Sequence, residues 1–377
     1  MRVIIRRLNC RSNHQATGSH ARRGAATSRK PVTGPTRLFA FSVPGLASLL
    51  THELQSIEGI QVQDTGFDGR SDVVTFTADR RAIRHLSDLM LAEDIFVEVG
   101  RTLRAEGDRA PWIAGRLIKP ERTKRALTTR GQILHAARDR ASYRVIVRVL
   151  QERSFLRTDL RRHLSTAVAK QQPLWRFDDL SDLELWVVEH QQGKIIAGFR
   201  ASDARMRQHD GRAEERSGAL RPTVAAAMVR LAGDPGDALL DPCCGSGTIL
   251  SEALQAGWNE VYGADIDPDA IDTARYNARG ARLAVGDARK IDLDPDSVDA
   301  CVSNLPFGQQ YEVQGDMDKW LRSVLAEMAR VTRPEGRVVL LAPAIARNLL
   351  PAELRPTDRV QIRLLGTKTT LWGYDRK

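Results

Sequence analysis

Residues 238–254 read ALLDPCCGSGTILSEAL. The opening ALLDP has the length and composition of a short buried strand. It runs into Asp241-Pro242-Cys243-Cys244-Gly245-Ser246-Gly247-Thr248, and a stretch with helical spacing follows directly. Gly245 and Gly247 let the backbone turn tightly and approach a ligand closely. The helix that follows presents its positive end to the same place. This is neither the G-x-G-x-x-G dinucleotide fingerprint nor a P-loop, since no Gly-Lys-Ser/Thr follows.

Three more segments stand downstream. YGADIDPDAI (262–271) closes a strand with Asp265, 18 residues after Gly247. A carboxylate there can take both ribose hydroxyls of a bound nucleoside, and Ile266 would lie against the adenine. Asp267, just before Pro268, fills the helix-capping role. VGDARKI (285–291) ends a third strand at Asp287, followed by Ala288, where a carboxylate can accept from an adenine amino group. SNLPFGQQ (303–310) ends a fourth. The side-chain carbonyl of Asn304 and the backbone carbonyl of Leu305, beside the rigid Pro306, offer two acceptors to an exocyclic NH2. Phe307 offers a stacking face, a contact worth roughly 1–3 kcal/mol.

Around these segments strands and helices alternate. GALRPTVAAAMVRLAG (218–233) is a lead-in helix with proline near its start, and GRVVLLAP (336–343) and a pair near 359–374 complete the strands. The pattern is an α/β doubly wound domain with a mostly parallel sheet.

The N-terminal part differs. Up to residue 213 the chain carries 37 Lys and Arg against 23 Asp and Glu, and after it 20 against 24. A basic module joined to a near-neutral one suggests a polyanion-binding partner for the α/β domain. Residues 1–36 are polar, Arg-rich and acid-free, a disordered basic tail. Strands are expected at 37–45, 72–78, 94–103 and 142–150, with helices at 46–57, 81–92 and 157–170. A hairpin is expected over 184–202, turning at Gln191-Gln192-Gly193-Lys194. The 157–170 helix turns Leu160, Leu164 and Val168 to one side and Arg157, Arg161 and Arg162 to the other.

Cys10, Cys243, Cys244 and Cys301 form no C-x-x-C pair, so no structural zinc site is expected and a cytoplasmic, reducing setting is. No apolar run reaches the ~18–20 residues of a membrane span. Residues 214–377 contain no histidine, which leaves Ser-His-Asp and Cys-His catalysis without a base there.

The set DPCCGSGT, GADID, GDA and NLPFG resembles class I methyltransferases of the amino-group type. Over residues 37–377 the chain is similar to the THUMP-domain tRNA guanine-N2 methyltransferases. The resemblance implies a Rossmann-like seven-stranded class I domain at 217–377. A ferredoxin-like domain at 37–103, a THUMP domain at 104–202 and a linker at 203–216 would precede it. It implies S-adenosylmethionine as cofactor, held by Asp241, Cys243, Gly245, Ser246, Gly247, Thr248, Asp265, Ile266, Asp287, Ala288 and Asn304. Asn304, Pro306 and Phe307 would form the catalytic base site, with Leu305, Arg157, Arg161 and Arg162 on the RNA. The leucine of N-L-P-F-G, where the related ribosomal-RNA enzymes look more like N-P-P-T-F, points to tRNA. The expected target is the N2 amine of a guanosine at acceptor-stem position 6, with the protein acting as a monomer without metal. A ribosomal-RNA guanine-N2 methyltransferase and a non-catalytic RNA-binding protein of the same fold are the alternatives.

Overall fold

The computed structural model describes residues 34–134, 142–150, 154–203, 205–209, 220–306, 316–364 and 366–377. Alternating apolar residues build the N-terminal strands β1 (Thr36–Ser42), β2 (Ile60–Phe67), β3 (Asp72–Ala78), β4 (Asp94–Leu103), β5 (Ser142–Arg148), β6 (Arg176–Phe177), β7 (Glu184–Gln191) and β8 (Lys194–Arg200). They form one sheet in the order β2-β3-β1-β4-β8-β7-β5-β6. The segments expected as two modules, 37–103 and 104–202, therefore share a sheet, joined where β4 pairs antiparallel with β8 (Phe96↔Arg200, Leu103↔Lys194). Helices α1 (Ala47–Gln55), α2 (Ala110–Leu117), α3 (Pro120–Ile133) and α4 (Arg157–Gln171) accompany them. On one sheet face Phe39 and Phe96 stack at 4.6 Å, with Phe41 and Trp186 beside them and the Arg148 guanidinium over both of the latter.

Four local features depart from the sequence reading. Strand β2 was not anticipated; it is an edge strand whose Gln61, Gln63 and Thr65 are exposed, so its apolar signal is thin. Helices α2 and α3 were not resolved within the basic segment either. The helix expected at 81–92 is a shorter 3₁₀ segment, Ala82–Asp88, because Leu89 already adopts extended backbone. Strand β1 starts at Thr36, so the tail expected at 1–36 ends earlier, and residues 1–33 lie outside the described residues.

The C-terminal strands are β9 (Ala238–Asp241), β10 (Glu260–Asp265), β11 (Arg282–Val285), β12 (Val298–Asn304), β13 (Thr332–Ala342), β14 (Leu354–Leu364) and β15 (Thr367–Arg376). Their order is β11-β10-β9-β12-β13-β15-β14. The first five are parallel, and β15 runs antiparallel to both neighbours. This is the seven-stranded Rossmann-like sheet that the family resemblance implied. Helices α5 (Arg205–Gln208), α6 (Pro222–Leu231), α7 (Thr248–Ala256), α8 (Pro268–Asn277) and α9 (Met317–Val331) go with it. Chain order reverses between β9 and β12, and it is outside the carboxyl ends of strands at such a switch point that sheets of this kind bind ligands.

Pro35 to Lys377 form one compact unit. Its two sheets meet where Arg363 of β14 donates its amide to the Pro44 carbonyl at 3.0 Å and Arg221 pairs with Glu93 at 2.8 Å. Part of the expected 203–216 linker is ordered into α5. Next to it, buried His209 places Nδ1 2.9 Å from both carboxylate oxygens of Glu252 on α7. Residues 210–216 of that segment lie outside the described residues.

Candidate active site

Four polar residues stand at or just past the carboxyl ends of adjacent strands: Asp241 on β9, Asp265 on β10, Asp287 after β11 and Asn304 on β12. Asp241 is 1% exposed. One of its oxygens accepts the Ser303 hydroxyl at 2.7 Å and the Cys243 amide at 3.1 Å. Burial pushes its carboxyl up to about 7 against the pull of those two bonds, and the nearby Asp265 charge adds to the rise. Ser303 thereby ties the strand that ends in Asn304 to the start of the glycine loop.

Asp265 holds that loop from the other side. It accepts the Gly245 amide at 2.8 Å on one oxygen and the Asp267 amide at 3.0 Å on the other. A carboxylate has about four acceptor positions, so both oxygens keep capacity for hydroxyl donors. Asp267 itself caps α8 through the Asp269 amide. Gly245 sits at φ +51°, and a Cβ there would point into open space with nothing within 4 Å. Gly247, at φ +80°, caps α7; a Cβ there would lie 3.1 Å from that of Ala274 on α8. The loop is thus packed from behind and open in front. Asn277, at the end of α8, donates to the Ser246 carbonyl at 2.9 Å. The side chains of Ser246 and Thr248 are buried and support the turn.

Two aliphatic side chains stand uncovered at this edge. Ile266 is 69% exposed and Val285 56% exposed, and the register of β10 and β11 sets Asp265 opposite Val285. An apolar pair of this kind fits a flat aromatic base. Asp287 is already engaged: Arg289 donates Nε to both carboxylate oxygens at 3.0 Å and Nη2 to one at 2.6 Å. Those bonds hold its carboxyl below the usual range. Ala288 is buried in the cluster that includes Leu240 and Leu305.

The side-chain amide of Asn304 makes no hydrogen bond among the described residues. Leu305 is buried and Pro306 half-buried, which anchors the turn that carries Asn304. Phe307 lies outside the described residues. Burial raises the thiols of Cys243, Cys244 and Cys301 well above their ordinary range, so none is a thiolate nucleophile. Among the described residues no His, Cys, Asp and Glu cluster could hold a metal. The structure brings the four strand-end motifs together. Arg157, Arg161 and Arg162 sit elsewhere, on α4 against the N-terminal sheet. Arg161 pairs with Asp179 and lies 4.9 Å over the Phe177 ring, and Arg162 pairs with Asp159 at 3.3 Å. Sequence reasoning passed over Ser303 and Asn277. A serine directly before Asn304 and an asparagine closing α8 were the available signals.

The sequence profile of the family described as "RMKL-like, methyltransferase domain" matches residues 210–361. Residues 210–361 thus resemble a methyltransferase domain, and the sheet that holds them has the fold of known methyltransferases. The open ground before Gly245 and the uncovered Ile266 and Val285 leave room for a nucleoside. The chain is 37% identical over 139 residues to the U6 snRNA (guanine-N(2))-methyltransferase THUMPD2 of Bos taurus, covering 34% of this chain and 27% of that protein. It is 34% identical over 152 residues to the tRNA (guanine(10)-N2)-dimethyltransferase of Methanothermobacter thermautotrophicus, covering 39% and 44%. The chain thus spans between a quarter and a half of the length of these relatives. The crystal structure of TrmN from Thermus thermophilus superposes with a TM-score of 0.72 at 24% identity, over 91% of this chain and 100% of that one. That likeness in fold extends through the N-terminal sheet. No helix among the described residues is long and apolar enough to cross a membrane.

Proposed function

We propose that the protein transfers a methyl group from S-adenosylmethionine to the N2 amine of a guanosine in tRNA, at acceptor-stem position 6. It acts as a monomer in the cytoplasm. The observation that carries the reading is the unengaged Asn304 amide at the end of β12, tied through Ser303 to the open glycine loop. The two relatives named above share guanine N2 on an RNA in their names and differ in the RNA.

The cofactor supplies a sulfonium methyl that is already activated for displacement. Asp265 would take its ribose hydroxyls, Ile266 and Val285 would lie near its adenine, and Gly245 would leave it room. Asn304 and the Leu305 carbonyl would accept the two N–H groups of the target amine and so orient its lone pair for displacement. The amine needs no strong base, because its proton becomes acidic only as the new bond forms. This suits a domain without histidine. Positioning of this kind can supply roughly 7–11 kcal/mol. A guanosine in a stem must leave the stack to reach Asn304.

The test is transfer of labelled methyl to bulk tRNA and, separately, to ribosomal RNA, followed by nucleoside analysis. N2-methylguanosine in tRNA alone is the expected result, and mapping then checks position 6. Label in ribosomal RNA alone would reassign the substrate. Cofactor binding without label in any RNA would sink the catalytic reading.

A further inference from the structure

A basic concavity lies on the N-terminal sheet, away from the strand-end site. A cleft of about 510 Å³ opens between the sheet and α3. Its floor includes a row across four strands: the register sets Gln61 opposite Thr77 and Thr77 opposite Arg37, and Arg37 reaches Glu98 at 4.0 Å. Its wall is Arg122 and Arg125 of α3.

The charge of this cleft is not compensated. Arg122 and Arg125, with Lys119 and Lys124 beside them, are exposed and have no acidic partner among the described residues. The one acid lining the cleft, Glu98, is held by Arg101 and approached by Arg37. On α4, by contrast, Arg161 and Arg162 are each paired with an aspartate. Guanidinium groups left without counter-ions around a concave, hydrogen-bonding floor suit phosphates, which they can grip with two parallel bonds. Gln61, Gln63 and Thr77 add neutral donors and acceptors of the sort that meet sugar hydroxyls and base edges.

The carboxyl end of β1 leads to Pro44, which bonds the edge strand β14 of the C-terminal sheet. The amino end of β1, at Thr36, lines the cleft. Seven residues of strand therefore set the cleft about 23 Å from the point where the two sheets meet, so a ligand that lies in the cleft and also reaches the C-terminal sheet is longer than a single nucleotide.

We propose that the cleft walled by Arg122 and Arg125 and floored by Arg37, Gln61 and Thr77 grips the phosphate backbone of the substrate RNA, away from the nucleotide that is methylated. The inference rests on the RNA reading above and moves the main phosphate contact from the α4 arginines to α3.

The experiment uses the full chain with Arg122→Glu/Arg125→Glu, the milder Arg122→Gln/Arg125→Gln and the α4 reversal Arg161→Glu/Arg162→Glu. Affinity for bulk tRNA is measured by anisotropy across a salt series, with S-adenosylmethionine affinity as the check on folding. The α3 reversal is expected to weaken tRNA binding at least ~tenfold and to raise the KM for RNA while sparing kcat at saturation. The α3 glutamine variant is expected to flatten the log affinity against log salt slope by about 1.5, and the α4 reversal to change affinity less than ~threefold. Unchanged tRNA affinity in both α3 variants, or a larger loss from the α4 reversal, overturns the inference while wild-type methyl transfer leaves the functional reading standing. Wild-type protein that binds tRNA through Arg122 and Arg125 but transfers no methyl sinks that reading and leaves the cleft in place. A cleft that takes an acidic protein and no tRNA overturns the inference outright.

Discussion

The two sheets carry their working residues in opposite ways. In the methyltransferase sheet a few side chains at the ends of neighbouring strands are tied to one another: Ser303 to Asp241, Asp265 to Gly245, Asn277 to Ser246. In the N-terminal sheet the groups proposed to work are Arg122 and Arg125 of α3, exposed and without acidic partners among the described residues. Displacement chemistry needs atoms placed to a fraction of an ångström, so it is written in short motifs whose members cannot be exchanged. Affinity for a polyanion sums over many similar contacts, so it is written in charge, and one arginine can stand in for another. Single substitutions in the first region should therefore be severe and specific, and in the second mild and additive.

Asn304→Ala is the sharpest way to break this contrast. It should lower kcat by roughly 10²–10³-fold, the scale for losing one hydrogen-bonding group that serves the transition state. Cofactor affinity should stay within ~twofold, measured by calorimetry beside single-turnover rates. If both fall together, Asn304 supports the fold and not the base. Asp265→Ala comes next. It should weaken S-adenosylmethionine binding at least ~tenfold, about 1.4 kcal/mol, because it removes the ribose acceptor and releases the Gly245 amide at once. An unchanged dissociation constant would take Asp265 out of the cofactor site.

The same contrast governs what could be read in advance. Strands β3, β4 and β10 were legible to the residue, because each is apolar on at least one face and ends at a turn or a loop. That the C-terminal sheet is doubly wound and mostly parallel could be read from the alternation of apolar strands and helices around the glycine loop, but the order of its strands could not. Strand β2 was hidden because the inward face of this edge strand carries only Ile60 and Val62 before Asp64 and Gly66, and glutamines alternate with them. The Ser303–Asp241 bond joins residues 62 apart in sequence; only the pairing of β9 with β12 brings them together. The arginines were visible as charge, but which are neutralised depends on Asp159, Asp179 and their neighbours in space, and spacing along the chain does not show that.

Asp241 offers a pH test of intermediate size. Its carboxyl is pushed up to about 7 in the ligand-free fold. A cationic cofactor favours the ionised form, so the apparent affinity for S-adenosylmethionine should fall as pH drops through 7, by up to about tenfold per unit if one proton is linked. Stability has the opposite sign. The folded state holds a proton that the unfolded chain, with its aspartate near 3.9, has already lost. This group's contribution to stability is therefore fully present below ~4 and declines as pH rises from there to about 7. Asp241→Asn should flatten both profiles. A wild-type binding curve that is level from pH 6 to 8, a window of ~2 units, would show that Asp241 does not respond to the cofactor.

The smallest expected effect concerns salt, and it separates the two regions most directly. Between ~50 and ~200 mM salt, a surface making several phosphate contacts loses orders of magnitude in affinity, because each contact releases counterions. The cofactor is small, and the Asp241 carboxylate that faces its site is buried. Buried charges are screened far less than exposed ones. Its affinity should therefore change by less than ~twofold over the salt range in which tRNA affinity collapses. Measured on one preparation, the two slopes need no mutation and no assumption about which arginine touches RNA. If cofactor affinity falls as steeply as tRNA affinity, exposed charge governs both ligands, and the division of labour between the sheets is wrong. A flat cofactor curve beside a steep RNA curve places the salt-sensitive contacts outside the strand-end site, on surfaces such as α3.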